Sequence, residues 1–172
     1  MPARNLRITL ILLIFALLFL NPCFPKNNIS FKGEVTENNI NIRTDSTVSA
    51  EVITTVNRGI KLDVVRELYD WYRVILPSSS PAYIRQDLLE CIQRDDALKS
   101  CSKAKVAKEK VNVRLKPDET SAIIGKANKD ETVTVVGETK GWFKIRPTEN
   151  CLGWINKKFV EKIPEDKGNK SR

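Results

Sequence analysis

The residues able to do covalent chemistry are few and poorly grouped. The chain has no histidine, which removes the usual general base at neutral pH, the usual partner of a catalytic cysteine or serine, and the commonest zinc ligand. Its four cysteines, Cys23, Cys91, Cys101 and Cys151, include no CxxC pair. Without a base beside them they suit disulfides or unreactive thiols better than nucleophiles or metal ligands. Seven glycines form neither GxGxxG nor GxxxxGK[ST], so the phosphate-cradling loops of nucleotide enzymes are missing and no cofactor is expected. Glu67, Glu138, Glu90 and Glu161 stand beside turns or strand ends, where solvated charge is the default. What remains is binding chemistry. Trp71, Trp142 and Trp154 occur among Arg73, Lys144 and Arg146, and aromatic plates beside cations stack on and hydrogen-bond a ligand carrying carboxylates.

The elements that must position these residues come from an internal duplication. Sliding the 172-residue chain by 71 residues lays 35–90 on 106–161 without a gap, with eleven identities that include Asn41/Asn112, Arg43/Arg114 and Trp71/Trp142. Apolar positions coincide: Leu62-Asp63-Val64-Val65 on Val133-Thr134-Val135-Val136, Ile84 on Ile155, and Leu88-Leu89 on Phe159-Val160. Sparse identity with a kept apolar pattern implies one fold used twice. The apolar runs are short, rich in Val, Ile and aromatics, and separated by turn formers such as Lys116-Pro117-Asp118 and Lys140-Gly141, which predicts about five strands per copy. A unit this small buries only about 60 % of its unfolded surface, and a compact antiparallel barrel that shields its edges is the economical solution.

Charge and hydropathy divide the chain further. Arg4 and Arg7 precede the apolar run Ile8 to Leu20, which as a helix of about 1.5 Å per residue is short for a hydrocarbon core about 30 Å thick. Residues 1–22 are therefore expected to be an export signal, with a membrane anchor as the alternative. Leu20-Asn21-Pro22-Cys23 has the leucine and cysteine of a lipoprotein cleavage box but proline where a small residue belongs, leaving lipidation at Cys23 open. The first copy is net acidic, with six basic against nine acidic residues in 33–90, and the second net basic, with twelve against eight in 105–161. Expected boundaries are a first barrel over 33–91, a linker over 92–104 with one helical turn at Asp95 to Lys99, a second barrel over 105–163, and a polar tail over 164–172.

The run from Val111 to Ile163, VNVRLKPDETSAIIGKANKDETVTVVGETKGWFKIRPTENCLGWINKKFVEKI, resembles the bacterial SH3 repeat. The family pattern has N-[VI]-R, a proline-containing loop, G-W-[YF]-K-V, G-W-[VI] and a closing apolar pair. The first copy is similar, with Ser46 in place of the loop proline, Asp70 before the tryptophan and Ala82-Tyr83 in place of Gly-Trp. Leu68-Tyr69-Asp70-Trp71-Tyr72 echoes the opening segment of eukaryotic SH3 domains, but it lies late in the repeat, so recognition of proline-rich peptides is not implied. The resemblance implies an all-β fold of two tandem SH3-like barrels. It also implies a non-catalytic recognition module, often directed at cell-wall peptides.

Alternation in Trp142-Phe143-Lys144-Ile145-Arg146 places Trp142, Lys144 and Arg146 on one outer face if Phe143 and Ile145 are core. Trp154 is expected nearby, and Trp71 with Arg73 forms a weaker version in copy one; either tryptophan could instead cover a barrel end. Binding is expected mainly in copy two. Cys91 ends copy one and Cys101 opens copy two, so a Cys91–Cys101 disulfide would clip the linker; Cys101 with Cys151, or free thiols, are the alternatives. The expected protein is exported to the periplasm or cell surface, has no nucleic-acid partner and binds peptidoglycan stem peptide. The alternative is an envelope scaffold that docks another protein or recruits a separate enzyme.

Overall fold

The computed structural model describes residues 28–95, 97 and 99–164. The expected signal segment 1–22, Cys23 and all of the expected polar tail but Pro164 lie outside the described residues. Fourteen strands in chain order form two seven-stranded antiparallel sheets. Repeat one supplies β1 (Asn28–Val35), β2 (Ile40–Arg43), β3 (Val52–Val56), β4 (Lys61–Leu68), β5 (Trp71–Ile75), β6 (Tyr83–Arg85) and β7 (Leu89–Arg94). Repeat two supplies β8 (Cys101–Val106), β9 (Val111–Arg114), β10 (Ile123–Ala127), β11 (Thr132–Thr139), β12 (Trp142–Ile145), β13 (Leu152–Asn156) and β14 (Val160–Lys162). One 3-10 turn follows β6 and another follows β13.

Neither sheet is built from one repeat. The first has the order β14-β1-β4-β5-β13-β2-β3 and the second β10-β9-β6-β12-β11-β8-β7. Each SH3-like barrel therefore takes its sixth and seventh strands from the other half of the chain. The register shows the same exchange: Gly153 lies opposite Val74 and Ile155 opposite Tyr72, whereas Ile84 lies opposite Phe143 and Tyr83 opposite Lys144. The spans 33–91 and 105–163 thus mark the sequence repeats, while each folded unit is a composite of both.

Matching apolar residues make the exchange possible. Ile155 is fully buried in the first sheet and Ile84 in the second, each stabilising its host by roughly 1.5–3 kcal/mol. The exchange leaves that total nearly unchanged. The crossing segments, 76–82 and 146–151, are hydrogen-bonded where they pass: the Leu76 N–H donates to the Cys151 carbonyl, joining the two segments, and the Ile145 N–H of β12 donates to the Ala82 carbonyl, both at 2.9 Å. Pro77 and Pro81 stiffen the first segment.

The linker is the clearest departure from expectation. Most of 92–104 is strand, because β7 and β8 pair as an antiparallel hairpin with Leu89 opposite Val106 and Cys91 opposite Ala104. Two register shifts in this hairpin break the two-residue alternation, so the segment lacks the period that marks a strand in sequence. Residues 96 and 98 of the expected helical turn lie outside the described residues. At the hairpin's end the Asp95 N–H donates to the Ser100 carbonyl at 2.9 Å.

Candidate functional site

The exchange regroups the tryptophans. In the first barrel Asn156 and Trp154 on β13 lie opposite Trp71 and Arg73 on β5, so Trp154 from repeat two sits beside the candidate binding residues of repeat one. Arg43 on β2 lies on the other side of Trp154. The Arg73 guanidinium stacks over the Trp154 ring at 5.6 Å from its centroid, and Trp154 is only 7 % exposed. This ring is a buried platform for Arg73, not an open plate.

Trp71 is more accessible. It borders a groove of about 250 Å³ lined by Asn41, Arg43, Val48, Asn156, Lys158 and Phe159, among others, with no acidic side chain in its wall. Lys158 stands over the Phe159 ring at 4.7 Å, and the Asn156 carboxamide oxygen accepts from the Lys158 N–H at 3.1 Å, capping the 3-10 turn that carries the lysine. One Arg43 N–H donates to the Ala50 carbonyl at 2.8 Å. Arg114 does the same to Ser121 in the second barrel at 2.8 Å, so both arginines brace their loops through turn carbonyls.

The equivalent place in the second barrel is a wider groove of about 610 Å³, in which Arg85, Asp87, Glu119 and Lys140 bring both signs of charge beside Trp142. Trp142 is 8 % exposed, which corrects its expected position on an open face with Lys144 and Arg146. Phe143 and Ile145 are buried, and Lys144 and Arg146 are exposed, as the alternation requires. Trp142 departs because Arg85 on β6 lies directly across from it, and Arg85 is held by Asp87 at 2.7 Å and by Glu119. Hydrogen bonds to Asp87 and then Glu119 raise the Arg85 pKa; the bond from Arg85 is the main cause holding Asp87 below the usual carboxylate value. Glu119 and Asp87 stand where the first barrel has Val48 and Lys158. The same fold therefore presents a cationic, apolar-rimmed groove in one barrel and an ion-paired groove of mixed charge in the other.

Other residues take structural parts. Glu67, expected to be merely solvated, accepts a hydrogen bond from Lys157 of the exchanged turn, and that ammonium lies 5.3 Å from the Tyr72 ring. Cys91 and Cys101 are joined as a disulfide with Cα atoms 5.8 Å apart. It staples the β7–β8 hairpin within the second barrel and does not set the angle between barrels. Cys151 is a buried free thiol whose pKa burial pushes up. Among the described residues no three His, Cys, Asp or Glu side chains are grouped to hold a metal ion. The groove around Trp71 escaped sequence reasoning because Asn156, Lys158 and Phe159 lie about 85 residues downstream of it.

A Bacillus subtilis (strain 168) protein named "Putative N-acetylmuramoyl-L-alanine amidase YrvJ" is 24% identical over 136 residues. The match covers 73% of this chain and 26% of that protein, so the chain spans about a quarter of its relative's length. A model of the bacterial SH3 domain matches residues 38–90 and again residues 109–161. With both repeats matched over most of the folded region, the chain belongs to the bacterial SH3 domain family.

Proposed function

We propose that this protein is a non-catalytic, exported recognition module whose Trp71 groove binds a carboxylate-bearing peptide of the cell envelope, the stem peptide of peptidoglycan. The observation that carries this reading is the contrast between matching positions. Arg43, Lys158 and the Asn41 and Asn156 amides surround Trp71 without an acid, whereas Arg85, Asp87 and Glu119 neutralise one another beside Trp142. A half-buried indole supplies contact area at low conformational cost, and flanking cations pair with carboxylates. Family membership and the amidase named among its relatives support an envelope ligand, and the signal-like start of the chain supports export. The groove shifts the expected binding from copy two to the first barrel.

The test is cosedimentation with purified sacculi. Trp71→Ala and Lys158→Glu should each weaken binding at least about fivefold, in line with the roughly 1 kcal/mol or more that an aromatic or charged anchor contributes. Lys144→Ala should leave binding unchanged. Wild-type affinity in a folded Trp71→Ala protein would place the ligand elsewhere. Failure of the wild-type protein to bind sacculi at all would favour the protein-docking scaffold.

A further inference from the structure

We propose that the cleft between the two barrels is a second site, which takes a multiply charged phosphate group. The proposal does not rest on the stem-peptide reading. Cations from both barrels converge there: Arg73 from β5 of the first barrel, Lys110 from the turn before β9, and Lys126 from β10 of the second. The cavity measures about 590 Å³, and its remaining polar lining is Thr44, Asn128 and Asn150. No acidic side chain lines it.

Apart from the Trp154 ring on which Arg73 stacks, none of the described residues lining the cleft compensates these cations. Arg73 lies opposite Arg66 on β4, and the Nε atoms of both guanidiniums are buried without a hydrogen-bond partner. Arg66 does not line the cleft, but its like charge and the unsatisfied Nε of Arg73 favour an anion beside the Arg73 guanidinium. Burial first, and repulsion from Arg66 second, lower the Arg73 pKa; Asp45 acts in the opposite direction but does not line the cleft. Lys110 and Lys126 make no ion pair or side-chain hydrogen bond with the described residues.

The exchange builds this cleft. Gly125 on β10 packs so closely on the crossing segment that a Cβ there would come within 2.6 Å of the Asn150 carbonyl oxygen and 2.9 Å of the Cys151 Cα. Asn150 and Leu152 thereby line the same cleft as Lys126. The Lys116–Glu51 ion pair, at 2.5 Å, ties the two barrels together. One carboxylate would neutralise one of the three cations. A compact phosphate group carries two or more charges and several acceptor oxygens, which suits a guanidinium fork with two ammonium point charges.

Calorimetric titration of the folded chain with inorganic pyrophosphate tests the site. Binding should weaken at least tenfold in Lys110→Ala/Lys126→Ala and be unchanged in Trp71→Ala. Lys144→Ala/Arg146→Ala removes two exposed cations outside the cleft and should have little effect. An equal loss in that control would mean that only the general positive charge was measured and would overturn the site, as would no binding by the wild type. Citrate binding as tightly as pyrophosphate would overturn the assignment to phosphate chemistry. Sacculus binding by the Lys110→Ala/Lys126→Ala protein keeps the two readings separable, because loss in the groove variants alone concerns only the stem peptide.

Discussion

Gly153 and Ala82 occupy matching positions of the two repeats but serve opposite barrels. A Cβ at 153 would meet Ile42 Cγ2 at 2.5 Å, Leu76 Cδ2 at 2.9 Å and Ile53 Cδ1 at 3.2 Å, all from the first barrel. Ala82 is fully buried in the second. Gly153→Ala should therefore destabilise the protein by roughly 1–3 kcal/mol through overpacking, read as a lower denaturant midpoint. An unchanged midpoint would mean that the core yields freely. Cys151 gives a second test at this scale. Its burial and raised pKa predict no labelling by a thiol reagent at neutral pH in the native protein and full labelling after denaturation, read at Cys151 by peptide mass.

The β7–β8 hairpin is the element most altered by covalent chemistry. Its disulfide closes a short loop, and in the chain-entropy model that restriction of the unfolded chain contributes about 3 kcal/mol. Cys91→Ser/Cys101→Ser should lower unfolding stability by up to that amount, and reductant should then have no further effect. A variant as stable as the oxidised wild type would show that the paired strands already impose the restriction.

The ion-paired Arg85 beside Trp142 belongs to the same scale. Asp87 has a lowered pKa because of Arg85, so its contribution is present above the unfolded carboxylate value and is lost as pH falls through the lower folded value. Tryptophan emission should stay constant from neutral pH down to about pH 5 and shift only in stronger acid. A shift already complete at pH 5 would contradict the ion pair beside Trp142.

At the scale of the whole molecule, the exchange makes a prediction that an unexchanged tandem could not share. A protease site placed in the 95–100 turn would cut the chain between β7 and β8. Because each fragment contributes strands to both sheets, the fragments should remain associated after cleavage and after reduction of the disulfide. Size-exclusion chromatography under native conditions should show one species at the mass of the intact chain. Unexchanged barrels would part once the chain was cut and the disulfide reduced, so elution as two halves would count against the topology.

The duplication, the strand-forming runs and the family were legible in the sequence because each rests on residue type and local period. The alternation in β12 correctly buried Phe143 and Ile145 and exposed Lys144, since strand geometry alone decides it. Where Trp142 and Trp154 would sit was not legible. Their surroundings depend on which β6 or β13 joins each sheet, and Ile84 and Ile155 satisfy either core because duplicated apolar patterns are interchangeable. The departure Ala82-Tyr83 against Gly153-Trp154 was visible, but its meaning required knowing which barrel each pair enters. Only the tertiary structure decided the exchange, through the hydrogen-bonded crossing segments and the fit of Gly153 against Ile42 and Leu76. That choice placed the cationic groove on the acidic repeat and gathered Arg73, Lys110 and Lys126 around one cleft.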